Sequence, residues 1–253
     1  MTVLTQQLFY REVGALAIAY ARVAPVFYLL PFLNDRVIVN TVLKNTIIFV
    51  VIAGLWHAVR HPLLESSTPM LWLAVQEATA GLVLGVTLSL PFWVAAAIGE
   101  FIDNQRGATI SDSIDPATGV ETSVLAPFLS LFYAALFLHQ GGMLLIVQAI
   151  RESYLYLPAG AIPHAHIWHF GSLLSKLVGK GIVLAAPVLL SMFLSDAMLG
   201  LFSRFCPQVN AFSLSLSIKS IVAFLVFHLY FLQVGRLVST ELFQLDRFSS
   251  LVY

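Results

Sequence analysis

The chain has 253 residues, 59% of them apolar and only 10% charged, and its mean hydropathy is +0.89. An ordinary soluble domain carries about 25% charged residues, so this composition excludes a typical cytosolic enzyme, and its hydrophobicity excludes a disordered chain. Thirteen basic residues balance thirteen acidic ones, leaving no basic footprint for nucleic acid, and the single cysteine, Cys206, excludes an internal disulfide and a thiolate metal cluster.

A membrane-spanning helix needs about 20 mostly apolar residues, and six stretches meet that need or approach it. Residues 13–33 carry one charge, Arg22, and two prolines, Pro25 and Pro31. Residues 37–56 carry only Lys44, and 71–98 hold Glu77 near their start and Pro91 within. Residues 124–150 contain no Asp, Glu, Lys or Arg; 181–202 contain only Asp196, and 221–235 follow Lys219 without another charge. The pattern predicts an all-α protein of about six hydrophobic helices, arranged as hairpins because most intervening segments are short. The longer polar stretches are 99–123 and 151–172. No break in composition and no repeat divides the chain, so a single domain over 1–253 is expected.

Ala19-Tyr20-Ala21 mimics a signal-peptide cleavage site. Against cleavage, Glu12 sits beside Arg11 where a positive region belongs, and the apolar run continues to Leu33. Lys and Arg are too few and scattered in the connections to orient the chain by the positive-inside rule. Prolines fall within the apolar segments at Pro25, Pro91, Pro127 and Pro187. Each frees a backbone carbonyl that needs a partner, either as a tolerated kink or as a break that shapes a lumen or an interface.

Catalytic signatures are absent from the sequence: no His-Glu-x-x-His, no Gly-x-Ser-x-Gly and no phosphate-binding loop. Gly179-Lys180-Gly181 lacks the upstream glycine and the following hydroxyl. His164, His166 and His169 cluster, but no cysteine or carboxylate pair completes a ligand set. Neither an enzyme nor a metal or cofactor site is expected. Ionisable groups at membrane depth cost at least ~2.5–3.5 kcal/mol unless paired or wetted, which singles out Arg22, Lys44, Glu77, Asp196 and Lys219. Two acids and three bases favour structural pairing, such as Asp196 with Lys219, over a proton relay. Gly81-x-x-x-Gly85 offers a small-residue face for close helix approach.

The segment 99–123, GEFIDNQRGATISDSIDPATGVETS, carries the most information. From Glu100 to Glu121 it holds five acids and one base, between two of the most apolar segments. Asp115-Pro116 followed by Gly119 is turn chemistry. A loop this long in a helical membrane protein suggests function, isolated Ile110 and Ile114 suit packing in a confined space, and the spacing does not match a calcium loop.

Asp103-Asn104-Gln105-Arg106-Gly107-Ala108, then Asp115-Pro116 and Gly119-x-Glu121-x-Ser123, closely resemble the T subunit of the type III secretion export apparatus (SctT), whose flagellar homologue is FliR. Other stretches agree in order: Ala21-Arg22-Val23-Ala24-Pro25, Leu30-Pro31-Phe32-Leu33-Asn34, Pro91-Phe92-Trp93-Val94, Gly141-Gly142, and Gly200-Leu201-Phe202-Ser203-Arg204-Phe205 with Pro207-Gln208-x-Asn210-Ala211-Phe212, ending in Lys219-Ser220. The likeness runs over about 21–230, and the tail after Gly235 carries none of it. Asn104 and Arg106 favour the injectisome branch, since flagellar members tend to have apolar residues there.

The resemblance implies a non-catalytic component of a protein-export gate, an all-α assembly of hydrophobic hairpins associated with the bacterial inner membrane. One T subunit would join several R-type and S-type subunits, with U-type and V-type components nearby and unfolded secreted proteins in transit. Much of that assembly sits above the membrane plane on the periplasmic side, so neighbouring subunits can replace lipid over the apolar faces. Arg22, Glu77, Asp196 and Lys219 would then be buried polar or interface residues. The family's polar loop plugs the channel; carried over, the plug is Gln105, Arg106, Gly107, Ile110, Ser113, Asp115, Pro116 and Gly119. Ile110 and Ser113 stand where flagellar relatives tend to carry aromatic residues. The competing readings are the flagellar homologue and a small-solute secondary transporter. A transporter would use Glu77, Asp196 and Lys219 for ion coupling, but two matching halves are missing from the sequence.

Overall fold

The computed structural model describes residues 2–34, 37–65, 69–107, 123–160, 167–205 and 211–241. Among them are seven α-helices and no strand: α1 Thr2–Leu29, α2 Thr41–Glu65, α3 Met70–Gln105, α4 Leu125–His139, α5 Gly142–Tyr156, α6 Ile167–Phe205 and α7 Ala211–Glu241, with a 3-10 turn at Pro31–Leu33. The all-α expectation holds. The count rises from six to seven because residues 124–150 form two helices. Gly141, at φ +81°, adopts a left-handed conformation that favours glycine and ends α4 before α5 begins.

Local chemistry sets the other helix ends as well. Asn40 starts α2, its side-chain oxygen accepting the Val42 N–H at 2.9 Å. The polar stretch after Gly99 opens as helix, because α3 continues to Gln105. Gly107, at φ +75°, then stops it, its N–H bonded to the Asn104 carbonyl at 3.1 Å. Pro25, Pro91 and Pro187 lie inside helices that run on past them. Pro127 is the third residue of α4, in a first turn whose N–H groups lack intrahelical partners anyway.

The helices form two compact units, and the boundary between them falls within α3 at Leu90 and Pro91. The first unit takes in Met1–Leu90 and Phe137–Ser172. In it α1 packs on α2, where the Tyr20 and Phe49 rings stack at 5.4 Å. Asn45 Oδ1 there accepts hydrogen bonds from Tyr20 at 2.9 Å and Tyr28 at 3.2 Å. The N-terminal half of α3 lies against α1 so closely that a Cβ at Gly81 would overlap the Arg22 carbonyl. A Cβ at Gly85 would sit 3.0 Å from the Val26 Cα. The small-residue face read from the sequence is therefore a backbone-to-backbone contact.

The second unit takes in Pro91–Leu136 and Leu173–Gln244. Its core joins Ile102 of α3, Leu125 of α4, Val188 and Met192 of α6, and Ala223 of α7. Phe92 meets Tyr133 edge-on at 4.9 Å. At Gly99 an added Cβ would come within 2.5 Å of the Ala126 nitrogen, so α3 and the start of α4 touch there through their backbones.

Three helical stretches among the described residues are long and apolar enough to cross a membrane: Phe9–Leu29, Met70–Gln105 and Leu174–Phe205, or four if α4 and α5 count as one bent span. On α6 the side chains of Phe193, Leu194, Met198 and Leu201 are all exposed among the described residues.

Candidate functional site

Most of the charged groups marked by the sequence lie in three polar clusters. In the first unit, Arg22 and Glu77 are each 1% exposed. Arg22 Nη2 donates to Glu77 Oε1 at 2.7 Å, and Nε approaches Oε2 at 2.6 Å, a two-pronged pair between α1 and α3. The remaining nitrogen, Nη1, donates to the carbonyls of Ser153 at 3.1 Å and Leu157 at 3.0 Å. These belong to the C-terminal end of α5, where a cation complements the helix dipole; the Ser153 carbonyl also accepts the Leu157 N–H at 2.9 Å. The guanidinium also lies 3.9 Å from the centroid of the Tyr154 ring. One side chain thus ties three helices. Lys44, also buried, stands 4.4 Å from the Tyr28 ring centroid.

In the second unit, Lys219 Nζ lies 3.0 Å from Asp196 Oδ2, and the Ser215 hydroxyl donates to Asp196 Oδ1 at 2.7 Å. Ser215 and Lys219 are one helical turn apart on α7, so both reach the same carboxylate on α6. The sequence proposed this pair; it left Arg22 and Glu77, 55 residues apart, unmatched.

The third cluster stands where α3 ends and α4 begins. Asp103 is fully buried, and both of its oxygens are engaged. Oδ1 accepts from Arg106 Nε at 2.7 Å. Oδ2 accepts three donors: the Ser123 hydroxyl at 2.6 Å and the backbone N–H groups of Val124 and Leu125, both at 2.8 Å. Ser123 Oγ in turn accepts the Ala126 N–H at 3.0 Å, so the first turn of α4 is capped from both sides. Arg106 lies 5.4 Å from the Phe224 ring centroid on α7.

Of the residues assigned to the plug from the sequence, Gln105 ends α3 and Arg106 and Gly107 form the turn after it. Ile110, Ser113, Asp115, Pro116 and Gly119 lie outside the described residues, as do His164, His166 and Cys206. Asp103 and Ser123 belong to the motifs that carry the family resemblance, and no role for either is legible in the sequence. The available signal was an acid in the last turn of an apolar helix and a serine two residues before the next helix. Among the described residues no three His, Cys, Asp or Glu side chains gather as metal ligands would. The polar groups of these clusters are occupied in holding helices together, and none is arranged as a nucleophile with its base.

Long apolar helices cross-tied by buried charges define an all-helical integral membrane protein. Its family is clear from the chain itself: residues 13–245 match the bacterial export proteins, family 1, and the chain belongs to that family. It is 43% identical over 220 residues to the surface presentation of antigens protein SpaR of Salmonella typhimurium, covering 87% of this chain and 83% of the relative. It is 31% identical over 214 residues to the Yop proteins translocation protein T of Yersinia pestis, covering 82% of each. The flagellar biosynthetic protein FliR of Bacillus subtilis is more distant, at 27% over 217 residues and 84% of each chain.

Proposed function

We propose that this chain is the T-type component of a type III protein-export apparatus of the injectisome branch, and that the polar segment after α3 plugs its channel. The observation that carries the branch is the 43% identity to a surface presentation of antigens protein, against 27% to a flagellar one. Asn104 and Arg106, at the end of α3 and in the turn that follows, point the same way. The protein resides in the bacterial inner membrane. Its partners are R-type and S-type subunits in one complex, with U-type and V-type components adjoining it and much of the complex lying on the periplasmic side. The uncovered apolar face of α6 suits burial by such neighbours. Its role is structural and non-catalytic.

The mechanism is physical control of passage. A plug formed by Gln105, Arg106, Gly107, Ile110, Ser113, Asp115, Pro116 and Gly119 occupies the lumen at rest and hinders ions and small solutes. It moves aside for an unfolded chain, and the driving energy comes from partner components. Such control needs a constriction and a bistable element, with no covalent step.

The test uses a tagged copy in cells that contain the other components, with residues 108–120 replaced by a short Gly-Ser linker. The variant should co-purify with R-type and S-type subunits and raise ion leakage through the membrane. Wild-type leakage from a correctly assembled complex would overturn the plug. A stable monomer recovered from cells that contain those subunits would overturn the assembly.

A further inference from the structure

The helix α5 divides into two faces. Gly142, Ile146, Ala149, Ile150 and Tyr154 are buried in the first unit. On the other side Leu144, Gln148, Arg151 and Leu155 are exposed, the two leucines to 70% and 71%. Steps of four, three and four residues set these four side chains in one line along the helix, the spacing by which one helix receives another. The line is apolar at both ends and polar in the middle. Arg151 has no hydrogen bond or ion pair among the described residues. Its neighbour in sequence, Glu152, is half-buried and accepts from Gln148 Nε2 at 3.4 Å.

The level of Arg151 narrows what can cover this line. Two residues further on, the Ser153 carbonyl accepts from Arg22, which lies well inside the apolar stretch Phe9–Leu29. Arg151 therefore stands within about 3 Å, along α5, of the level of the buried Arg22–Glu77 pair. Lipid at that level would face an unpaired guanidinium, which hydrocarbon rejects. Water would suit the guanidinium but leave a leucine uncovered at each end of the same line. We propose that this line of α5 is a docking seam for a helix of a neighbouring subunit, one that sets a carboxylate against Arg151 between apolar residues covering Leu144 and Leu155. This rests on the assembly reading above. Charge complementarity selects the occupant: a helix bearing Asp or Glu meets both demands, and neither lipid nor water does. The Arg–carboxylate pair fixes the register of the two helices, as a polar residue does within a coiled-coil seam. Gln148 spends its amide N–H on Glu152 and offers its carbonyl oxygen to a donor on the same partner.

The experiment uses a tagged copy in cells that contain the other components and counts R-type and S-type subunits recovered per tagged chain in mild detergent. Arg151→Glu should lower that ratio about tenfold or more, since losing one member of a desolvated pair raises dissociation. Lys176→Glu, which reverses an exposed base on α6 outside the seam, should keep the wild-type ratio. A photo-crosslinking side chain placed at Gln148 should capture one of the co-purified subunits through a helix that carries Asp or Glu. Changing that acid to lysine should restore the ratio in Arg151→Glu. A wild-type ratio from Arg151→Glu would overturn the seam. An equal loss from Lys176→Glu would make the effect one of net charge and overturn it too, as would a captured helix without an acid or an exchange that restores nothing. If Arg151→Glu fails to accumulate, the crosslink decides alone, and an assembled complex in which Gln148 captures no subunit refutes the seam. Wild-type chain that recovers no subunits overturns the assembly reading itself, an outcome distinct from all of these.

Discussion

Removing either member of the Arg22–Glu77 pair should be far worse than removing both. Glu77→Met leaves the guanidinium of Arg22 buried without its counter-charge, and breaking a buried pair in this way costs about 3–5 kcal/mol. Arg22→Met strands the Glu77 carboxylate at similar cost. It also takes the donor from the Leu157 carbonyl, adding about 1–3 kcal/mol for an acceptor left unsatisfied, while the Ser153 carbonyl keeps the Leu157 N–H. Against a total stability of about 5–15 kcal/mol, either single variant should accumulate poorly. The double variant Arg22→Met with Glu77→Met buries no lone charge. Similar-volume apolar replacements of buried pairs are often neutral, so its deficit should be mainly the Leu157 carbonyl.

The measurable quantity is the coupling. The sum of the two single losses should exceed the double loss by about 3 kcal/mol or more. It is read from graded denaturation of the detergent-purified protein or, in cells, from the recovery of membrane-inserted protein in the double relative to the singles. Arg22→Lys should behave as a partial loss, since a lysine cannot hold Glu77 in two prongs while bonding two carbonyls. Additive losses, or single variants that accumulate like the wild type, would refute the account of this pair as the tie between α1, α3 and α5.

Gly81→Ala should destabilise the protein strongly, because its methyl would overlap the Arg22 carbonyl backbone, whereas Gly54→Ala and Gly200→Ala meet no atom within 4 Å and should gain up to about 1 kcal/mol in helix propensity. Comparing thermal midpoints of the three purified variants checks this. Gly107→Ala should cost about 1–2 kcal/mol, since alanine is strained at a positive φ, and it should show in the same melting assay. Lys219→Met should cost less than either single loss at Arg22–Glu77, because Asp196 is 34% exposed and keeps its bond from Ser215.

The extent to which the sequence could be read follows from what each signal measures. Hydropathy marks residues that must be hidden from water, so it found the apolar middle of every helix. It misjudged the ends, because helix ends answer to local backbone chemistry. The helix α3 runs past Gly99 into GEFIDNQ, since nothing in those residues opposes helix until Gly107 supplies the left-handed stop. The run 124–150 reads as one span by composition, yet Gly141 divides it by conformation. The site divides in the same way. Asp196 and Lys219 were paired in advance because they stood as the lone charges of neighbouring apolar segments. Arg22 and Glu77 could not be matched to each other from a list of five charges, because their meeting depends on the face that Gly81 and Gly85 open on α3.

Apolar helix surfaces are poor at specifying one neighbour over another, since one leucine-rich face packs about as well on any other. In this chain the specification comes from a few exceptions to apolarity. Gly81, Gly85 and Gly99 admit backbones that any larger residue would exclude. Arg22 needs a carboxylate on α3 and carbonyls on α5 together, and Asp103 needs donors from both sides of the segment it spans. Each demand is met by only one arrangement of helices, whereas a loose bundle would leave buried charges unpaired at several kcal/mol each. The same few residues that make the sequence depart from a plain membrane composition therefore determine its fold.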